Sequence, residues 1–151
     1  MKQFVLFVVI PVIFSVQILA QNPKSENVPE MVLSAFSVKF TDAKKVKWEM
    51  EEASVWEAEF KWKGKEYSAN FSTNGDWIVT EYKIKKSEIP ANIRAILDKN
   101  FSDYHIEEAE ISQTESRNYY EIEIELKEEE FEVIIDFTGN LIKKKKSTKN
   151  D

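Results

Sequence analysis

Histidine and cysteine carry much of the nucleophilic, acid–base and metal chemistry of proteins. This chain of 151 residues holds one histidine, His105, and no cysteine. Disulfides, thiolate catalysis and thiolate metal sites are thereby excluded. Without a second histidine the common zinc constellations cannot form. His105 stands just after a helical segment, where a lone histidine reads as a surface or capping residue. The serines fall in tails, turns and polar strand positions, with no nucleophile elbow and no Ser-x-x-Lys context. Three glycines in the whole chain leave no glycine-rich phosphate loop. Catalysis is not expected, and neither is a cofactor.

Carboxylates are what the chain has in excess, and two groups of them could act. Glu128-Glu129-Glu130 crowd into one turn and are weak candidates for holding a cation. Calcium takes six to eight oxygens from a shaped loop, and the spaced Asp/Asn pattern with a central glycine is absent here. The second group alternates with apolar residues. It comprises Glu57 and Glu59, joined by Lys61 and Lys63, then Tyr119, Glu121, Glu123 and Glu125, and then Glu132, Ile134 and Asp136. Like charges side by side on a strand repel. An acidic face with Tyr119 and Ile134 set into it has the mixed character of an interface. Its bland reading is a solvated face that maintains solubility. Tyr82, on a strand with apolar residues on both sides, joins the candidates.

Period-two segments must position these residues. Trp56-Glu57-Ala58-Glu59-Phe60-Lys61-Trp62-Lys63 lies over Tyr120-Glu121-Ile122-Glu123-Ile124-Glu125-Leu126-Lys127 at an offset of 64. Both alternate apolar and charged residues, the signature of a half-buried strand. Tyr67, Ala69 and Phe71 fall over Phe131, Val133 and Ile135. Asn74-Gly75 falls over Thr138-Gly139, and Asn-Gly between alternating runs predicts a hairpin with a type I′ turn. Trp77-Ile78 and Leu141-Ile142 open a further strand. Val46, Trp48 and Met50 alternate ahead of all this, with a weaker counterpart near Ala109 and Ile111 that needs a small insertion.

Helices precede both sets of strands. Val28-Pro29 matches Ile89-Pro90, and Val32, Ala35, Phe36 and Phe40 fall on Ile93, Ile96, Leu97 and Phe101 at an offset of 61. Spacings of i, i+3, i+4 and i+8 define one helix face. Proline suits the first helical position. The expected fold is α+β, a tandem repeat of helix plus four-stranded antiparallel meander, with the helices on one sheet face and the other face open. The repeats span 28–88 and 89–142, after a linker at 21–27 and before a basic tail at 143–151.

Residues 1–20 differ in kind. Lys2, an apolar run from Phe4 to Val16, and Ile18-Leu19-Ala20 before Gln21-Asn22 describe a signal peptide cleaved near Ala20-Gln21. The apolar run is short for a membrane span and contains Pro11. The mature chain is expected in the periplasm or outside the cell, with no stable membrane anchor. The whole chain carries −6, with −1 in 28–88 and −10 in 89–142, while five lysines crowd into the last nine residues. An acidic body argues against nucleic acid and favours a basic or cationic partner. Lys143–Lys146 continue the last strand as a charged edge that blocks strand addition.

The Val-Pro helix, "VKWEME", "WEAEFKWKGKEYSANFSTNGDWIVTEYKI", the Ile-Pro helix and the closing "FEVIIDFTGNLI" together resemble the PepSY-like, β-lactamase-inhibitor-like family of exported bacterial proteins. The resemblance covers nearly all of 28–142. It implies a tandem α/β repeat with an antiparallel sheet, and an open sheet face with loops that grip another protein. It carries no catalytic residues. The expected role is a non-enzymatic protein-binding module that inhibits or regulates an envelope or secreted protein through its acidic face. The alternative is a calcium- or cation-responsive protein using the acidic second repeat. Oligomeric state is left open.

Overall fold

The computed structural model describes residues 27–146, so the expected signal peptide and most of the linker and basic tail lie outside the described residues. Helix α1 (Glu30–Lys39) leads into strands β1 (Lys44–Glu52), β2 (Val55–Trp62), β3 (Lys65–Ser72) and β4 (Trp77–Lys83). A 3-10 turn at Lys86–Glu88 precedes α2 (Ala91–Asn100). Then follow β5 (Tyr104–Thr114), β6 (Asn118–Leu126), β7 (Glu129–Asp136) and β8 (Leu141–Lys146). The strands form one antiparallel sheet of eight in the order β1 to β8, so every strand lies beside its chain neighbours. The two halves are joined where β4 pairs with β5, from Val79 opposite Thr114 to Lys83 opposite Glu110.

Each helix covers the same side of the sheet over its own half. Val32, Phe36 and Phe40 pack with Trp48, Trp56, Ala58, Phe60, Ala69 and Phe71, and Ala35 lies half-buried against them. Ile93, Leu97 and Phe101 pack with Ala109, Ile122, Ile124, Val133 and Ile135, with Ile96 beside them. Both predicted helix faces are therefore buried. The first core is aromatic. Phe36 meets Trp48 at 5.2 Å and Phe60 at 4.9 Å in edge-on contacts, geometries that add to simple burial. The prolines stand one position ahead of the expected place: Pro29 and Pro90 are N-caps rather than first helical residues.

The turns depart from expectation in an instructive way. Asn74-Gly75 closes a hairpin, but through a four-residue connection in which Gly75 is left-handed (φ 85°) and Asn74 is not. The two-residue turns with positive φ at both positions fall at Lys63-Gly64 and at Lys127-Glu128. Gly75 has a second reason to be glycine: a Cβ there would sit 2.7 Å from the carbonyl oxygen of Met31, where the hairpin rests on α1. The insertion expected near Ala109 falls after it, in the β5–β6 hairpin, since Ala109 pairs with Ile122 whereas Trp48 pairs with Ala58; the bulge between Ile106 and Glu108, matched in β1 between Lys44 and Lys47, keeps Ala109 on the helix-bearing side.

Candidate functional site

The side of the sheet away from both helices carries rows of polar residues running across the strands. One row follows the register from Glu59 through Ser68, Glu81, Ser112 and Tyr119 to Asp136. The next joins Lys83, Glu110, Glu121, Ile134 and Lys143. A third joins Glu108, Glu123 and Glu132. Glu57 lies opposite Asn70 and Glu49. The alternation that predicted this face thus places Glu57, Glu59, Tyr119, Glu121, Glu123, Glu125, Glu132, Ile134 and Asp136 on one side.

Tyr82 is a correction. It lies opposite Ile111, and its ring packs against Tyr67 at 4.9 Å on the helix-bearing side. The cause is a shift of register between Asn70 and Phe71, which pairs Trp77 with Phe71 and Val79 with Asn70. Strict alternation along β4 fails at that irregularity. Trp77 turns to the core, its ring 3.3 Å beneath the Lys39 ammonium. Glu81, which alternation alone did not single out, faces the acidic side.

Two other candidates are present on the face but offer little to a partner. Ile134 is 1% exposed. The Asp136 carboxylate is occupied within its own turn. Its Oδ1 accepts from the Thr138 and Asn140 amides, both at 2.9 Å, and from the Thr138 hydroxyl at 2.7 Å. Its Oδ2 accepts from the Asn140 side chain at 3.0 Å. These donors hold the Asp136 carboxyl well below its ordinary range.

The centre of the face is an acidic patch whose carboxyls are raised by burial. Glu81 is buried, and burial together with Glu121, Glu110 and Glu57 pushes its carboxyl up to about 8, against a hydrogen bond from Ser112. Burial, then Glu51, Glu59 and Glu49, push Glu57 up to about 7. Burial and Glu108 push Glu110 to about 7 despite Lys83. Glu121 is raised by burial and Glu132, opposed by a hydrogen bond from Ser112 and by Lys143. Asn70 is buried among these groups. Its Nδ2 donates to Glu51 at 2.7 Å, while its Oδ1 has no hydrogen-bond partner among the described residues. Lys83 bonds Glu108, and Lys143 lies 3.8 Å from Glu132, so cations border the patch.

The expected cation candidates do not converge. Glu128 is at the exposed tip of its turn and Glu129 is engaged by Lys146 at 2.6 Å. Glu129 and Glu130 are consecutive in a strand and so point to opposite faces. Among the described residues no group of three or more His, Asp or Glu side chains is placed to hold a metal ion. His105 is exposed at the start of β5, opposite Glu125.

Among the described residues, two helices on one face of an open antiparallel sheet, with a polar face that neither covers, define an α+β architecture shared by solved structures. One is a BLIP-like protein from Bacteroides fragilis, 18% identical, covering 85% of this chain and 90% of its own, with a TM-score of 0.72. A second is a DUF2874 family protein from Bacteroides uniformis, 16% identical, covering 82% and 92%, at 0.73. A third, described as a putative periplasmic protein, comes from Bacteroides eggerthii, 15% identical, covering 79% and 88%, at 0.70. At these identities the likeness is one of fold. No curated protein matches the sequence. The model of one family matches residues 54–143, and the chain belongs to that family, described as "Putative beta-lactamase-inhibitor-like, PepSY-like".

Proposed function

We propose that this chain is an exported, non-enzymatic binding module that takes a protein partner with a basic contact surface onto the helix-free face of its sheet. One observation carries the reading. Glu57, Glu81, Glu110 and Glu121 share a face that no described helix covers, and the charges acting on buried Glu81 are all carboxylates. Such a patch is destabilised in isolation and relieved by an incoming cation. Family membership agrees with protein binding in general, and the similar chain described as periplasmic agrees with export. In this reading residues 1–20 are removed at Ala20-Gln21, and 28–88 and 89–142 are two copies of one helix-and-four-strand unit. Nothing in the arrangement favours nucleic acid.

Capture from an envelope-protein extract on the immobilised protein tests this, run beside a variant with Glu57, Glu121 and Glu123 changed to Gln. The expected result is a basic partner retained at low salt, released by salt, and bound more slowly by the variant, because steering acts mainly on association rate. Equal binding by the variant, or retention of no partner, would overturn the reading. The intact mass of the exported protein should correspond to a chain beginning at Gln21.

A further inference from the structure

The sheet has two edges, and their charge patterns differ. The β8 edge carries Lys143, Lys144, Lys145 and Lys146 in succession, so pairing it with its own copy would set lysine against lysine. The β1 edge reads Lys44-Lys45-Val46-Lys47-Trp48-Glu49-Met50-Glu51-Glu52. About Trp48 this strand is a palindrome in which charge inverts: each lysine on one side has a glutamate at the same distance on the other. We propose that β1 is a dimerisation edge, pairing antiparallel with β1 of a second copy about a two-fold axis at Trp48 to extend the sheet across both chains.

The pairing rule of an antiparallel ladder sets the contacts. With Trp48 opposite Trp48, Lys47 lies opposite the second copy's Glu49, Lys44 opposite Glu52, and Val46 opposite Met50. Shifting the centre to Glu49 puts Glu49 against itself, and shifting it to Lys47 puts Lys47 against itself. Only the Trp48 register satisfies every charge. It also covers apolar surface that the described residues leave exposed. Val46 and Met50 are 37% and 42% exposed on the side of buried Trp48. On the polar side Glu49 already lies opposite Glu57 in its own sheet, and the second copy would bring it Lys47. Register shifts between Lys44 and Lys47 and between Met50 and Glu52 flank the same centre, so the two copies' irregularities coincide under the two-fold. A single strand pair is small for a protein interface, which makes the association concentration-dependent.

Sedimentation equilibrium of the purified protein over a wide concentration range provides the test. The mass should rise toward twice that of one chain. K47E sets a glutamate opposite Glu49 and E49K sets a lysine opposite Lys47, so each alone should weaken self-association at least about tenfold. Mixed together, the two variants present opposite charges and should form a heterodimer, and K47E/E49K should pair with itself. Both positions are exposed, so melting temperatures check that folding is intact. A single-chain mass at every concentration overturns the proposal. A dimer indifferent to K47E and E49K also overturns it, because it places the contact elsewhere.

Discussion

At the scale of residues, Glu81 shows how position converts an ordinary carboxyl into a pH-sensitive one. An unfolded glutamate titrates near 4.5, and Glu81 in the sheet titrates near 8. Below 4.5 the group is neutral in both states and costs nothing. Between the two values the folded chain keeps a proton that the unfolded chain has lost, so stability falls as pH rises and the loss is complete above about 8. Glu57 and Glu110 act with the same sign up to about 7. Asp136 acts with the opposite sign, contributing stability that is lost only as pH falls below its ordinary value of 3.8. Stability should therefore peak in mildly acid solution. Glu81→Gln should raise the melting temperature near pH 9, leave it nearly unchanged near pH 4.5, and flatten the profile between them. Thermal melts across that range decide it. An unchanged slope in the variant would mean that Glu81 is not the group whose protonation couples to folding.

At the scale of elements, turns and bulges set what could be read from sequence. The helix faces were legible because Val32 and Phe36, like Ile93 and Leu97, repeat at helical spacing with one face buried. The strand from Trp56 to Trp62 was legible because it alternates without interruption. The acidic face followed from the same alternation, apart from β4, where the irregularity beside Trp77 reverses parity and hid Glu81 while promoting Tyr82. The burial of Ile134 was not legible either, since a period-two pattern says which side a residue takes and not how deeply its neighbours cover it. The matching two-residue turns offer a controlled comparison. Lys63-Gly64 places glycine at φ 83°, whereas Lys127-Glu128 forces Glu128 to φ 63°. A left-handed conformation is unfavourable for residues with a Cβ. Glu128→Gly should stabilise by about 0.5–1 kcal/mol, and Gly64→Glu, with nothing within 4 Å of its Cβ, should cost about as much. Gly75→Ala should cost more, about 2 kcal/mol or above, because the added methyl meets backbone at Met31 as well as a strained φ. Urea unfolding of the three variants would test the ordering, and a Gly75→Ala penalty no larger than that of Gly64→Glu would show that the hairpin can move off α1.

At the scale of the whole molecule, the question is whether two cores on one sheet behave as one. The clusters under α1 and α2 are separate in their buried residues. Among the described residues only the seam between β4 and β5 joins the halves through the sheet ladder, and it carries little apolar material: Thr80 opposite Gln113 and Tyr82 opposite Ile111 toward the helices, Glu81 opposite Ser112 on the other side. Yet each half, at roughly 60 residues, is near the size at which a lone core is marginal. Splitting the seam would leave the facing edges of β4 and β5 without their ladder partners. Those two costs favour a single cooperative transition. Tryptophan makes this measurable, because Trp48, Trp56, Trp62 and Trp77 all lie in the first half. Leu97 is fully buried in the second half. Leu97→Ala should cost about 2–5 kcal/mol through lost transfer energy and the cavity left behind. If the sheet unfolds as one, the tryptophan fluorescence transition must shift to lower urea by the same amount as circular dichroism, although no tryptophan touches the second core. Phe36→Ala should shift both probes together in the same way. A Leu97→Ala variant whose fluorescence midpoint stays in place while its circular dichroism splits into two steps would show that the seam is too weak to couple the halves, and that each helix stabilises its own four strands alone.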